Sequence, residues 1–176
     1  MPSITFSELN ELSRPDFTRL VGPVFEQSPW VAEATWAKRP FAGLEALHSS
    51  LCETVRSAGE ARQLQLIQAH PDLVGRAARA GTLTVASTRE QASAGLDRLS
   101  AEDIAQFQQN NAAYREKFGF PFIICARLNK KDAILAAFPE RLRHSRAEEI
   151  QTALAEIARI ARLRLEDLVS ERGKAG

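Results

Sequence analysis

Cysteine is scarce in this chain: Cys52 and Cys125 are the two thiols in 176 residues, each in an apolar run with no second thiol nearby. That count excludes a disulfide framework or a zinc knuckle and reads as small buried side chains in a reducing compartment. Charge of one sign is lacking too. Lys and Arg number 23 against 22 Asp and Glu, a formal net charge of +1, so no broad field draws in nucleic acid or a membrane surface. The basic residues are dispersed without interleaved aromatics, which also argues against nucleic acid. No apolar run approaches the length of a membrane span. The three histidines, His48, His70 and His144, have no Cys or Asp/Glu at ligand spacing, so no metal is expected. There is no P-loop, no G-x-G-x-x-G and no G-x-S-x-G, hence no phosphate cradle and no serine-hydrolase elbow.

What is present is an ordinary globular composition, 44% hydrophobic and 26% charged, in a chain of one domain's length. Residues 1–176 are read as a single domain. Met1 to Thr5 lacks signal-peptide form, and Gly173 to Gly176 is not the Ser-Lys-Leu address, so cytoplasm is the expected location. Along the chain, Ser7 reads as the cap of a short helix and Pro15 as the first residue of a second. Ser28-Pro29-Trp30 starts a third, ending near Trp36. Leu44, Leu47, Leu51 and Val55 recur every three or four residues, an amphipathic helix over 43–57. A helix over 60–69 should deliver His70, with another short one opening at Pro71 and stopped by Gly81. Thr82 to Ala86 reads as an extended connection and Ser87 as the start of the next helix. Ser100 caps a long helix over 101–118. Gly119 to Arg127 is the one strand-like run; with no partner of like character it should pack among helices. Residues 130–142 read as helical, and Ser145 caps a last helix to about Arg172. The fold class is all-α, a single-domain helical bundle with one short extended segment near 120–127.

Three places could carry chemistry. Proline crowds its predecessor out of the α region, so His70, before Pro71, should close its helix. There the negative end of the macrodipole favours a protonated ring. An imidazole fixed in direction and biased in charge suits general acid–base work, the alternative being a plain polar cap. Ser87-x-x-Glu90 fits a capping box first; the functional alternative is a helix start that offers donors to an anion while Glu90 orients an imidazole. The last helix has an apolar stripe of Ile150, Leu154, Ile157, Ala161 and Leu168, and helical spacing puts Arg164 inside it. A guanidinium on the core side must find an anion: a structural carboxylate, or a substrate carboxylate held bidentately. His48 and His144 read as surface or boundary residues, and Arg141-Leu142-Arg143-His144 as a solvated helix end.

Three blocks carry a resemblance: Ala69-His70-Pro71-Asp72-Leu73, Ser87-Thr88-Arg89-Glu90-Gln91-Ala92-Ser93-Ala94-Gly95-Leu96, and Phe118-Gly119-Phe120-Pro121-Phe122-Ile123-Ile124-Cys125-Ala126-Arg127. With Glu156 to Leu165 they resemble, in order and over nearly the whole chain, the OHCU decarboxylase family of urate breakdown. The resemblance implies an all-helical, cofactor-free, homodimeric enzyme. Its substrate would be 2-oxo-4-hydroxy-4-carboxy-5-ureidoimidazoline (OHCU), its products (S)-allantoin and CO2. It implies His70 and Glu90 as the catalytic pair. Pro71, Ser87, Gln91, Arg164 and the segment Phe122, Ile123, Ile124, Cys125 and Ala126 would bind substrate. Competing readings are a non-catalytic helical interaction module, or a lyase or hydrolase acting on a related ureide.

Overall fold

The structure, a computed structural model, describes residues 3–169, without the side chain of Ala77. The described residues form ten α-helices and three short 3-10 turns. Most helix starts are set by a side chain that takes an orphan backbone N–H. Helix α1 (Phe6–Glu11) starts from Thr5, whose hydroxyl accepts from Glu8 N–H while Glu8 returns the bond to Thr5. Thr5, not Ser7, is therefore the cap. Helix α2 (Arg14–Val21) is capped by Ser13, with Pro15 in its first turn, where a missing N–H costs nothing.

The described residues divide into two compact units, 3–69 with 158–169 and 70–157. In the first, α3 (Trp30–Thr35) packs against α2 and α4 (Leu44–Ser57). Leu44, Leu47, Leu51 and Val55 of α4 are all buried, as their spacing requires. Phe17 and Phe41 stack with centroids 6.0 Å apart in this core. Gly59, at φ +84°, allows the sharp break into α5 (Glu60–Gln68). The second unit holds α6 (Arg76–Ala80), α7 (Val85–Ser93), α8 (Ala101–Phe118) and α9 (Lys131–Arg141). Ser100 and Asp103 form the capping box of α8, and Gly119 ends it in the left-handed conformation at φ +79°. Its core is aromatic: Phe122 stacks on Phe138 at 3.8 Å and meets Tyr114 edge-on at 5.2 Å. Helix α10 (Arg146–Leu168) supplies residues to both units. Ser145 caps it, accepting from Glu148 N–H at 3.2 Å. The expected continuation of α10 from Ser170 to Arg172 lies outside the described residues.

Three further boundaries differ from expectation. Helix α5 ends at Gln68 with Ala69 as its cap, so His70 lies beyond the helix rather than closing it. Residues 71–75 form a turn, not the first turn of a helix; Val74 sits at φ +55°, which no helix admits. Helix α7 begins at Val85, because Thr84 takes the Ser87 N–H at 3.2 Å. Residues 121–125 carry no assigned secondary structure and form no strand, as expected of a run without a partner, and Cys125 at their end is extended.

Candidate active site

Most of the expected site residues fall in the second unit. His70 is buried, 7% exposed, immediately after the end of α5. The turn that follows Pro71 is held by side chains from two helices. The carbonyl of Leu73 accepts from Asn111 Nδ2 at 2.8 Å, and the N–H of Val74 donates to Gln91 Oε1 at 3.1 Å. Asp72 receives Arg115 Nε on both carboxylate oxygens, at 3.0 and 3.1 Å.

Helix α7 presents Ser87 and Gln91, one turn apart on one face and both buried. Since Thr84 is the cap, Ser87 and Glu90 lie inside the helix and do not form a capping box. The Gln91 carbonyl is turned toward the His70-bearing turn, which sets the amide's orientation. Glu90 is half-buried, and its charge reaches the Cys125 thiol, so α7 and the extended segment share a neighbourhood. The 3-10 turn Ala126–Leu128 that ends the segment packs on α7.

A buried extended segment without a ladder must satisfy its backbone by other means. Here side chains do it. Arg141 Nη1 donates to the Ile123 carbonyl, Glu156 accepts from Cys125 N–H at 2.8 Å, and Asn129 donates to the Cys125 carbonyl at 2.9 Å. Arg141 is buried, contrary to its reading as part of a solvated helix end, because it has found a buried anion. Its Nε donates to Glu149 at 2.5 Å, and the same carboxylate accepts from Tyr114 at 2.6 Å and from His144 Nδ1 at 2.8 Å. The Arg141 guanidinium lies 4.2 Å from the Phe122 ring centroid. Burial and the bond to Glu149 push the Tyr114 hydroxyl far above its ordinary range, so it stays a donor. Burial is also the main cause raising the Cys125 thiol; a backbone bond at Leu128 opposes it, and the Glu156 and Glu90 charges add to it. Cys125 therefore stays protonated and is no nucleophile.

Arg164 belongs to the first unit, on the buried side of α10 as its spacing requires. Its Nη2 lies 2.9 Å from Glu26 Oε2, and Nη1 donates to the Pro23 carbonyl at 3.3 Å. The anion it demanded includes a carboxylate of this chain, 2% exposed. His48 is half-buried and lies 2.8 Å from the Ala158 carbonyl, a boundary residue, as is His144. Among the described residues no group of His, Cys, Asp or Glu is arranged to hold a metal ion.

Sequence reasoning missed Glu26, Asn111, Arg115, Glu149 and Glu156. Their partners lie from 5 to 138 residues away, and most are beyond any local pattern. A signal existed for two of them: helical spacing puts Glu149 and Glu156 on the buried side of α10, beside Ile150 and Ile157.

A family model described as OHCU decarboxylase matches residues 10–166. The 2-oxo-4-hydroxy-4-carboxy-5-ureidoimidazoline decarboxylase of Halalkalicoccus jeotgali is 44% identical over 98% of this chain and 96% of its own length. Its counterpart in Amia calva is 44% identical over 92% of this chain and 93% of that protein. Among solved structures, a crystal structure of (S)-allantoin synthase superposes with a TM-score of 0.75 at 26% identity, over 96% of this chain and 54% of that one.

Proposed function

The chain belongs to the OHCU decarboxylase family, and from that membership and the site's geometry we infer how it works. It is a carboxy-lyase of urate degradation that converts OHCU to (S)-allantoin and CO2. The observation that carries the reading is the grouping in one unit of a buried His70, the buried Ser87–Gln91 face and the side-chain-held segment 122–126. Gln91 is tied to the very turn that follows His70.

The chemistry asks little of a cofactor. When the bond between C4 and the carboxylate breaks, its electron pair forms C4=C5. The pair of the ring C=N moves onto nitrogen, which takes up a proton. Loss of the C4 hydroxyl proton and protonation at C5 then leave a C4 carbonyl and a C5–H. The substrate is its own electron sink, so no cofactor or metal is invoked. His70 exchanges the hydroxyl proton, with Glu90 orienting the ring, and proton delivery to one face of C5 sets the configuration. The Gln91 NH2 end and the backbone of Phe122, Ile123, Ile124, Cys125 and Ala126 read the amide-like edges of ring and ureido group. Pro71 and Ser87 line the same site. Arg164 binds an anionic part of the substrate, its guanidinium held in direction by Glu26.

We further propose that residues 1–176 act as one domain, as a cytoplasmic homodimer with a small-molecule substrate and no membrane or nucleic-acid partner. No helix among the described residues is long and apolar enough to cross a membrane. Sedimentation would read the dimer as twice the 19.4 kDa chain mass, and the chain mass itself would refute it. The proton-transfer role is tested by His70→Asn, which should fold normally and lose about a hundred- to ten-thousandfold in kcat. Near-wild-type kcat in that variant would remove His70 from the chemistry.

A further inference from the structure

The turn after His70-Pro71 is held more firmly than a surface turn needs. Asp72, Leu73 and Val74, three consecutive residues, are each gripped by a side chain from another helix. The Leu73–Val74 peptide group is clamped at both ends, its carbonyl by Asn111 and its N–H by Gln91. Beyond the clamp, Val74 adopts φ +55°, a conformation that a β-branched side chain resists and leaves unless the surroundings impose it. Gly75 closes the turn so tightly that a Cβ there would stand 2.7 Å from the Asp72 Cβ.

Two of these grips come from one face of α8, from Asn111 and Arg115, spaced four residues apart. The Asn111 amide can face only one way: a carbonyl accepts and never donates, so Nδ2 must meet Leu73. That orientation leaves Asn111 Oδ1 buried with no hydrogen-bond partner. The Arg115–Asp72 pair is partly exposed, with 43% and 23% of the side chains accessible, so it adds little to stability. Both are what a positioning device looks like.

We propose that Asn111 and Arg115 are positioning residues for His70: by holding Leu73 and Asp72 from one face of α8 they fix the turn that aims the imidazole. This rests on the reading of His70 as the proton-transfer group.

The test takes Asn111→Ala, Arg115→Gln, Asp72→Asn and the double variant of the ion pair, in the full chain. Asn111→Ala and Arg115→Gln should each lower kcat about tenfold or more while KM moves less than threefold. The double variant should lose no more than either single one, because both singles break one contact. In 15N-imidazole NMR the His70 titration midpoint should shift and its resonance broaden, with the melting temperature of Arg115→Gln near wild type. Values of kcat within twofold of wild type in both variants, together with an unmoved His70 resonance, would overturn the proposal. Turnover retained by His70→Asn sinks the proton-transfer reading instead, and the ring resonance still judges whether Asn111 and Arg115 set its place.

Discussion

Glu90 sits half-buried one position before Gln91 on α7, on a helix whose start belongs to Thr84. A capping role for Glu90 would have made it a stability residue. In the proposed site Glu90 orients the His70 imidazole, and its charge reaches Cys125. An orienting carboxylate favours one tautomer of its histidine and the protonated ring. Glu90→Gln should therefore lower turnover less than His70→Asn does. It should also move the histidine limb of the kcat/KM–pH profile to lower pH, since the carboxylate that stabilised the imidazolium is gone. An unchanged profile with a lower melting temperature would mark Glu90 as structural. At this scale the core-side place of Arg164 was legible from its stripe, whereas the proline before which His70 stands suggested a helix end that Ala69 takes instead. What sequence could not supply was the partner: Glu26 lies 138 residues from Arg164, in a run with no helical period of its own.

At the scale of elements, apolar spacing located α4 well, because a stripe repeats over several turns and each repeat adds to the signal, and the Ser100 cap located the start of α8. Helix starts were less legible. Thr82, Thr84, Ser87 and Thr88 are all able to cap, and the choice of Thr84 depends on what Ser87 and Gln91 then bury. The extended segment was readable as a lone strand. How it survives without a ladder was not, since its bonds come from Arg141 on α9, from Asn129, and from Glu156 on α10. The pair behind Arg141 is the element's keystone. Glu149 is wholly buried and its pair with Arg141 nearly so, and breaking such a pair costs about 3–5 kcal/mol. Glu149→Gln should show a loss of that order in urea unfolding, and a raised KM in whatever folded enzyme remains. A loss below about 1 kcal/mol would mean that Arg141 does not depend on Glu149.

For the whole molecule, the neutral charge balance and the lack of metal-ligand spacing or phosphate loops narrowed the function by exclusion. They left both an enzyme acting on a small molecule and a helical interaction module open, and the resemblance chose between them. The family match over residues 10–166 and the site's grouping in the second unit agree with it. The central claim is stereochemical: an enzyme that protonates one face of C5 makes one enantiomer, whereas the uncatalysed route makes both. The direct measurement is circular dichroism or optical rotation on freshly generated OHCU with and without the protein. The account predicts faster loss of OHCU and growing optical activity of (S)-allantoin. Loss of OHCU at the spontaneous rate, or a racemic product, would contradict it.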